Sequence, residues 1–253
     1  MNKNVFITGA CKNTGLGIAE RFAKEGYNVF ITCRKKEEAL SAESYIKEKY
    51  KTYCKGYKLD SDEGEEAVKT VFNDLKEKGY LIGTVVLNAA NLGINQNFFE
   101  MTVRDIKEVF ETNVFWNFTI VQQAVSHMLE LKKGSIVFVN SNTAYRMIPD
   151  RLSYESSKGA ILSMSRALAF DLGKYNIRSN CVLPGMIKTD RWENNYNNCK
   201  NAPSNFTPIG DIADCGDIAD AVFYFAGDGA KNTTGAELIV DGGNMIQLYP
   251  IIK

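Results

Sequence analysis

Strand-like and helix-like stretches alternate along the whole sequence, and this alternation limits the possible folds more than any other feature. Short runs of β-branched and aromatic residues, such as 5–8 and 28–32, are separated by longer segments of helical composition. Parallel strands need a long crossover connection, which a helix usually supplies. The pattern therefore predicts an α/β fold with a doubly wound parallel sheet of about seven strands and helices on both faces. We expect strands at 5–8, 28–32, 53–59, 83–88, 134–141, 177–183 and 237–241, and helices at 15–25, 36–49, 62–78, 102–131, 154–173 and 217–226.

The chain shows no internal boundary. No Pro/Gly/Ser-rich linker and no repeat divides the 253 residues, so we expect a single domain over 1–253. The helical region 102–131 should break near Asn113. Residues 190–207 are rich in asparagine and lack clear periodicity. A loop of this length in a compact domain is usually functional, and we expect it to act as a substrate lid.

Charge and hydropathy exclude several classes of partner. The 30 basic and 30 acidic residues cancel, so there is no electrostatic case for binding nucleic acid or an anionic membrane. No apolar run approaches the length of a membrane span, and a strand follows the initial residues directly. We therefore expect a soluble, cytoplasmic protein without a signal peptide.

The cysteines and the single histidine carry no motif. No C-x-x-C pair is present, so we expect reduced thiols that pack as small core residues. His127 has no Gly-x-Ser-x-Gly elbow to serve, which argues against a Ser-His-Asp hydrolase, and we expect it on a helix surface or at an interface. There is no His/Cys cluster, so we expect no metal. The six cysteines are Cys11, Cys33, Cys54, Cys181, Cys199 and Cys215.

A glycine-rich loop follows the first strand. The segment from Thr8 to Gly17 contains Gly9 and Gly15 and leads into the first helix. Glycines in this place let the backbone approach a pyrophosphate, which then sits on the helix N-terminus. Such glycines alone are weak evidence, but a strand, a loop and a helix in this order form the setting that a dinucleotide site requires.

Three polar residues surround the start of the helix at 154–173. Tyr154 and Lys158 are four residues apart, so they share a helix face about 6 Å apart along the axis. An ammonium that close favours the phenolate, which suits a proton donor. Ser141 ends the preceding strand and can lie beside them. Most Tyr-x-x-x-Lys pairs are only surface neighbours on a helix, and the upstream serine and the glycine loop argue against that alternative here.

Together these motifs resemble the short-chain dehydrogenase/reductase family, in its branch of chains of about this length, which has a Rossmann fold. The resemblance covers nearly the whole chain. It includes Asn88-Ala89-Ala90, Pro184-Gly185-Met-Ile-Lys-Thr189 and a C-terminal signature at 234–243. The resemblance implies a nicotinamide cofactor held by Thr8, Gly9, Asn13, Thr14, Gly15, Leu16, Gly17, Asp60, Asn88, Ala89, Tyr154, Lys158, Pro184, Gly185, Ile187 and Thr189.

The sequence departs from the family pattern in two places. Five residues separate Gly9 from Gly15, where the family usually has fewer, so the path of the loop over the phosphates is open. Leu87 and Ala90 replace an asparagine and a glycine of the fourth-strand motif, which affects packing beneath the adenosine half. Neither departure touches the reacting atoms.

The resemblance also implies the roles of four catalytic residues. Tyr154 would exchange a proton with the substrate oxygen while hydride passes between the nicotinamide and the carbon. Ser141 would hold that oxygen. Lys158 would bind the ribose and tune Tyr154, and Asn113 would interrupt its helix and hold a water that links Lys158 to solvent. The alternative for Asn113 is an asparagine that only breaks the helix.

The end of the second strand predicts the cofactor. Relatives specific for NAD usually have an acidic residue there, whereas this chain has Cys33-Arg34-Lys35-Lys36. Arg34 can bind a 2′-phosphate bidentately, and Lys12 in the glycine loop adds a second cation. Lys35 and Lys36 are expected to be a solvated helix start. We therefore expect NADP(H) in preference to NAD(H).

The substrate is less constrained. We expect a bulky apolar carbonyl, such as a 3-oxoacyl or steroid-like ketone, because large aromatics occur in the expected lid. These aromatics could instead only anchor the lid. Two further alternatives are a sugar or polyol dehydrogenase that uses NAD, and a catalytically silent nucleotide-binding sensor or scaffold. The expected pocket residues are Thr143, Tyr145, Met147, Trp192, Tyr196 and Phe206.

Surplus apolar faces predict self-association. The helix at 154–173 has a second face of Ala160, Ala167 and Phe170, and the stretch 114–129 has a stripe of its own. One sheet covers only one stripe of each helix, so we expect a homotetramer, or else a homodimer. The stripe consists of Val114, Phe118, Val121, Val125 and Met128.

Overall fold

Seven parallel strands form one sheet in the computed structural model, which describes residues 3–190 and 205–248. The strands are β1 Asn4–Ile7, β2 Asn28–Cys33, β3 Cys54–Lys58, β4 Thr84–Leu87, β5 Gly134–Val139, β6 Ile177–Pro184 and β7 Glu237–Val240. Their order across the sheet is β3-β2-β1-β4-β5-β6-β7. The chain runs outward from β1 to β3 and then returns to β4 beside β1. Ligands of such sheets bind at this reversal, outside the carboxyl ends of the strands.

Seven α-helices cover the two faces of the sheet within the described residues. One apolar cluster joins the sheet to α1, α2 and α7, and a second joins it to α3, α5 and α6, which confirms the doubly wound fold. The helices are α1 Asn13–Lys24, α2 Lys36–Tyr50, α3 Gly64–Glu77, α4 Val103–Phe110, α5 Asn117–Leu131, α6 Leu152–Leu172 and α7 Cys215–Ala226.

Alternation along β1 shows why the strands are apolar on both faces. Val5 and Ile7 enter the first cluster, while Phe6 between them enters the second and packs 4.7 Å from the ring of Phe72 on α3. All three strand side chains are fully buried. Burying one side chain of this size stabilises the fold by roughly 1.5–3 kcal/mol.

The predicted break in the 102–131 helix is confirmed. The π-helical turn Glu111–Trp116 separates α4 from α5, and Asn113 lies within it. Thr102 and Asp105 form a capping box at the start of α4, with the Asp105 N–H 3.3 Å from the Thr102 hydroxyl oxygen. The largest differences at element ends are two residues: α1, α6 and α7 begin two residues before their predicted starts, α3 begins two residues after its predicted start, and β5 ends two residues early.

The predictions for two cysteines and for His127 were wrong. Cys11 and Cys33 form a disulfide with Cα atoms 6.0 Å apart, because β1 and β2 are neighbours and end at the same edge. Burial raises the pKa of Cys54 and of Cys181 to about 12, so these two remain unreactive thiols. His127 is buried against Phe72, and its Nδ1 accepts the N–H of Ile82 at 3.2 Å.

The predicted second apolar stripe of α5 also needs correction. Val121 and Met128 are almost fully buried in the second cluster, and Val114 is also buried. Phe118 is 44% exposed and faces outward. The stripe therefore packs mainly against the second cluster, and Phe118 is its exposed member.

Residues 3–190 and 205–248 contain neither a helix that could span a membrane nor a group of metal ligands. No helix in these ranges combines the length and the apolar character that crossing a bilayer requires. Nor do these ranges bring three or more His, Cys, Asp or Glu side chains together in a way that could hold a metal ion.

Candidate active site

Thr8 and Asn88 connect the loop after β1 to the loop after β4 at the carboxyl edge of the sheet. The buried Thr8 hydroxyl accepts the backbone N–H groups of Asn88 and Ala89 at 3.0 and 2.9 Å. The Asn88 side-chain amide donates in return to the carbonyl oxygens of Thr8 and Gly9, at 3.1 and 2.9 Å. These four bonds fix the glycine loop against β4 at the point where the strand order reverses.

The glycine loop is too close to its surroundings for other side chains. A Cβ on Gly15 would lie 2.2 Å from the Gly9 carbonyl oxygen, and Gly9 itself has φ +62° with Ala89 3.0 Å from its Cβ position. A Cβ on Gly17 would lie 3.0 Å from the Cβ of Cys215 on α7. The side chain of the N-cap residue Lys12 makes no hydrogen bond to the first turn of α1. Such a cradle fits a pyrophosphate, which accepts N–H groups at a helix N-terminus.

The disulfide brings two cations to the rim of this cradle. Lys12 follows Cys11 and Arg34 follows Cys33, so the paired cysteines hold the two basic residues on neighbouring loops. Both side chains are exposed, and within the described part of the chain neither forms an ion pair. Lys35, in contrast, lies 3.9 Å from Glu38. Lys12 and Arg34 are therefore the cations at this rim that remain open to a phosphate.

Asp60 lies at the same edge, just after β3. It precedes a single turn of 3₁₀ helix, Ser61–Glu63, and its backbone N–H donates to the Glu63 carboxylate at 3.0 Å. The Ser61 hydroxyl also donates to an Asp60 carboxylate oxygen at 3.3 Å. Asp60 therefore caps the 3₁₀ turn that follows β3 at the carboxyl edge of the sheet.

Ser141 is oriented by Thr143. The Ser141 Oγ accepts the Thr143 N–H at 3.2 Å and the Thr143 hydroxyl at 2.9 Å. A hydroxyl oxygen has two lone pairs and one proton to donate. Both lone pairs accept bonds here, so the Ser141 hydroxyl is free to donate its proton to an acceptor bound in the adjoining cavity.

Tyr154 and Lys158 occupy the first turns of α6. The Lys158 Nζ lies 5.4 Å from the centre of the Tyr154 ring and donates to the Val139 carbonyl oxygen at 3.3 Å. Lys158 is 2% exposed, and no carboxylate pairs with it in the described residues. Asn140 donates to the Lys158 carbonyl oxygen at 3.0 Å and so fixes this turn of α6 to the end of β5.

Asn113 joins the π-helical turn to both of its neighbours. Its side-chain amide donates to the Asn91 carbonyl oxygen and to the Ser157 hydroxyl, both at 2.9 Å, and its Oδ1 accepts the Asn91 N–H at 2.7 Å. Asn113 is fully buried. Sequence reasoning did not identify Asn91 or Ser157, because their roles depend on contacts across 22 and 44 residues.

The turn after β6 closes the other end of the site. The Gly185 N–H donates to Val240 at 3.0 Å, and a Cβ on Gly185 would lie 2.7 Å from the Asp241 Cβ. Pro184 is the last residue of β6, and Ile187 bridges to Ala213. Thr189 follows, half-buried, and the Asp190 N–H donates to the Asn13 side chain in the glycine loop at 3.2 Å.

A cavity of about 590 Å³ opens beside Ser141 and Tyr154. Thr143, Met147 and Phe206 line it, while Trp192 and Tyr196 lie outside the described residues. The described lining residues include two arginines and no aspartate or glutamate. The lining consists of Leu92, Asn95, Ser141, Asn142, Thr143, Arg146, Met147, Ile148, Pro149, Arg151, Tyr154, Gly185, Met186, Phe206 and Asn244.

Tyr145 is not among the described residues that line the cavity. Its hydroxyl donates to Glu237 on β7 at 2.5 Å, and this bond raises the pKa of Tyr145. Arg166 on α6 forms an ion pair with the same carboxylate. The Tyr145 side chain is therefore partly exposed, and its hydroxyl is bonded to β7 instead of facing the cavity.

The two arginines of the cavity differ in their partners. Arg146 donates to the backbone oxygens of residues 244, 245 and 247. Arg151 is 8% exposed, donates through Nη1 to Asn95 Oδ1 at 2.6 Å, and has no partner for its buried Nε. Its Cζ lies 5.3 Å from the Tyr154 ring centre. Sequence reasoning missed Arg151, although its position three residues before Tyr154 was a usable signal.

Comparison with known families gives one extended match. Residues 9–244 match the family model described as enoyl-(acyl carrier protein) reductase. The chain is 29% identical over 243 residues to the 3-oxoacyl-[acyl-carrier-protein] reductase FabG of Chlamydia trachomatis, covering 96% of this chain and 97% of that one. The match therefore includes both the glycine loop and the residues around Tyr154.

Solved structures share the same architecture. ElxO with NADP bound has a TM-score of 0.88 at 27% identity and covers 98% of this chain and 100% of its own. NAD⁺-bound xylitol dehydrogenase has a TM-score of 0.86 at 27% identity, covering 96% of this chain and 98% of its own. The same fold thus accompanies either nicotinamide cofactor.

Proposed function

The chain belongs to the short-chain dehydrogenase/reductase family, and we propose that it interconverts a ketone and a secondary alcohol with NADP(H) as the cofactor. The observation that carries the proposal is that Ser141 and Tyr154 line the same cavity, with the Nζ of the buried Lys158 5.4 Å from the centre of the Tyr154 ring. A silent sensor or scaffold would not need a donor hydroxyl, a phenol and a buried lysine arranged together.

The cofactor would lie across the carboxyl ends of β1 and β4. Gly9, Gly15 and the first turn of α1 would hold its pyrophosphate, and Gly185 with Ile187 and Thr189 would flank the nicotinamide. When bound, the cofactor supplies or accepts the hydride. The remaining chemistry belongs to residues of the chain.

Proton transfer falls to Tyr154. Its hydroxyl has no hydrogen-bond partner among the described residues, and Tyr154 lines the cavity. Ser141 directs its remaining proton to the same substrate oxygen, so two donors meet the charge that develops there. In the reduction, Tyr154 gives its proton to the oxygen; in the oxidation, it takes that proton back.

Lys158 and Asn113 support this transfer. The buried Lys158 has hydrogen-bonding capacity left for the ribose hydroxyls, and its ammonium lies 5.4 Å from the centre of the Tyr154 ring. We assign to Asn113 the positioning of the proton path. Its amide donates to Ser157 on α6, one residue before Lys158, and so fixes this turn of α6 to the π-helical turn.

Two residues favour NADP(H) over NAD(H). Arg34 and Lys12 are held side by side by the disulfide, and no acidic residue replaces them where a ribose 2′-hydroxyl would be read. A guanidinium binds a phosphate bidentately. The NADP-bound ElxO supports this choice, whereas the NAD⁺-bound xylitol dehydrogenase makes NAD(H) the alternative that kinetics must exclude.

The substrate class follows from the cavity. Leu92, Met147, Ile148 and Phe206 give it an apolar wall large enough for an extended body. The relative that reduces 3-oxoacyl groups supports a 3-oxo compound with an apolar chain. We therefore propose a bulky apolar carbonyl, with a sugar or polyol as the alternative.

We also propose a homotetramer, with a homodimer as the alternative. Phe170 on α6 is 89% exposed beside the exposed Ala167, and Phe118 on α5 is 44% exposed. Large apolar groups at such exposure favour a protein contact. Multi-angle light scattering at micromolar concentration should give a mass above that of one chain, and Phe170→Glu should lower it; a monomer in both cases would reject the proposal.

Tyr154→Phe tests the function most directly. The variant should lose nearly all NADPH consumption over a panel of ketones while its NADPH affinity, measured by fluorescence, stays within about threefold, because the lost hydroxyl serves the transition state. Activity within tenfold of the unmodified enzyme would contradict the assignment. Cofactor binding without turnover of any carbonyl by the unmodified protein would instead favour the sensor.

A further inference from the structure

We infer that the cavity binds a substrate that carries a carboxylate, and that Arg151 is the residue that recognises it. This inference rests on the proposed function and narrows its substrate class to oxo acids, in place of neutral ketones, sugars or thioesters. The observation behind it is a buried guanidinium beside Tyr154 whose hydrogen-bonding capacity is largely unused.

A buried arginine without a carboxylate partner is uncommon. Charges leave water at a large cost unless an opposite charge or a full set of hydrogen bonds offsets it. Arg151 is 8% exposed, yet its one side-chain bond goes to the neutral Asn95, and its Nε is buried without a partner. A bound anion would therefore supply the partner that the Arg151 guanidinium lacks.

The nearest acidic side chain on the same helix does not supply that anion. Glu155, one turn after Arg151, is buried as well, but its Oε1 accepts the Ile148 N–H at 2.6 Å. No ion pair with Arg151 occurs in the described part of the chain, whose lining of the cavity contains no aspartate or glutamate. The electrostatic balance of this wall is therefore positive.

Arg146 shows that the unused capacity is specific to Arg151. Its Nη1 donates to three backbone oxygens near the C-terminal end of the described residues, so its guanidinium holds the chain together. Arg151, in contrast, donates to a single side-chain oxygen, that of Asn95. The Nε of this planar guanidinium is unpaired, and the fork geometry of a guanidinium suits bidentate binding of a carboxylate.

The position of Arg151 also sets where the carboxylate lies in the substrate. Its Cζ is 5.3 Å from the centre of the Tyr154 ring, and both residues line the same cavity as Ser141. A carboxylate on Arg151 is therefore only a few bonds from a carbonyl held by Tyr154 and Ser141. The apolar wall of Leu92, Met147 and Ile148 is left for the rest of the substrate.

Paired substrates test the inference. NADPH-dependent reduction is measured for 3-oxo and 4-oxo acids and for their methyl esters, which keep the ketone and lose the charge. The acids should have the higher kcat/KM, and Arg151→Gln should raise KM for the acids roughly tenfold or more while changing the esters little. Arg151→Lys should fall between, since it keeps the charge without the fork. Equal use of acids and esters by the unmodified enzyme, or equal losses for both in Arg151→Gln, would overturn the inference.

Asn95→Asp provides a variant that keeps Arg151. It adds a carboxylate where the Asn95 oxygen now lies 2.6 Å from Nη1, and should therefore lower kcat/KM for the acids more than for the esters. This variant decides the matter if Arg151→Gln does not fold. An unchanged preference for acids in Asn95→Asp would count against Arg151 as the recognition residue.

A binding measurement separates this inference from the proposed function. Hexanoate and hexanamide are added to the protein with NADP⁺, and the thermal midpoint is recorded. Hexanoate should raise the midpoint in the unmodified protein and not in Arg151→Gln, and hexanamide should have no effect in either. Stabilisation by hexanoate without reduction of any ketone would reject the proposed reaction and keep the anion site. Reduction of ketones without stabilisation by hexanoate would keep the reaction and reject the anion site.

Discussion

The cofactor side and the substrate side of the cavity are built by different means. On the cofactor side, the Thr8 hydroxyl is bonded to the backbone of Asn88 and Ala89, and a Cβ on Gly15 would lie 2.2 Å from a backbone carbonyl oxygen. On the substrate side, Ser141 and Arg151 depend on side-chain bonds to Thr143 and Asn95. The difference teaches that the cofactor side tolerates almost no substitution, whereas single side-chain changes on the substrate side can alter which substrate binds.

Gly15→Ala should have the largest effect. The added Cβ meets backbone atoms that cannot rotate away, so we expect a loss of about 3 kcal/mol in stability or the equivalent in cofactor affinity. Thermal unfolding and NADPH fluorescence measure the two. Gly159→Ala is the control, because its Cβ meets nothing within 4 Å on α6 and should be neutral or stabilising. Similar losses in both variants would remove the contrast between the two sides.

Opening the disulfide should come next. A bond across 22 residues restricts the unfolded chain and stabilises the protein by about 3 kcal/mol in the chain-entropy account. Dithiothreitol should lower the thermal midpoint of the unmodified protein and leave that of the double variant Cys11→Ser, Cys33→Ser unchanged. If the reductant has no effect on the unmodified protein, the cofactor side does not depend on this bond.

Arg34→Ala should affect only the choice of cofactor. Loss of a charged bond to the 2′-phosphate costs roughly 1.5–3 kcal/mol, which raises KM for NADPH roughly 10- to 100-fold. KM for NADH should hardly change. Lys36→Ala, in the solvated start of α2, is the matched control and should leave both constants alone. A native preference for NADH would contradict the assignment of Arg34.

Thr143→Val should have the smallest effect. The change removes one of the two donors to Ser141, so its proton is no longer confined to the cavity, at a cost of about 1 kcal/mol or roughly fivefold in kcat. Thr143→Ser keeps the hydroxyl and should retain the activity. The KM for NADPH should be the same in all three proteins; a change there would mean that the two sides are coupled through Thr143.

The sequence alone determined the sheet, its helices and the interruption at Asn113. These features follow from periodicity and from residues with a special backbone, whose effects are local or repeat along the chain. The same applies to the position of the glycine loop between β1 and α1. Family resemblance added the positions of Ser141, Tyr154 and Lys158, which the fold brings to one edge.

Only the tertiary structure decided which side chains meet. It joined Cys11 to Cys33, buried His127, turned Tyr145 toward Glu237 and placed Arg151 beside Tyr154. Each of these outcomes depends on a partner brought near by the sheet or by the π-helical turn, and on the dielectric that burial creates there. A linear pattern contains neither the distance nor the burial, so the chemistry of the cavity had to be read from the folded chain.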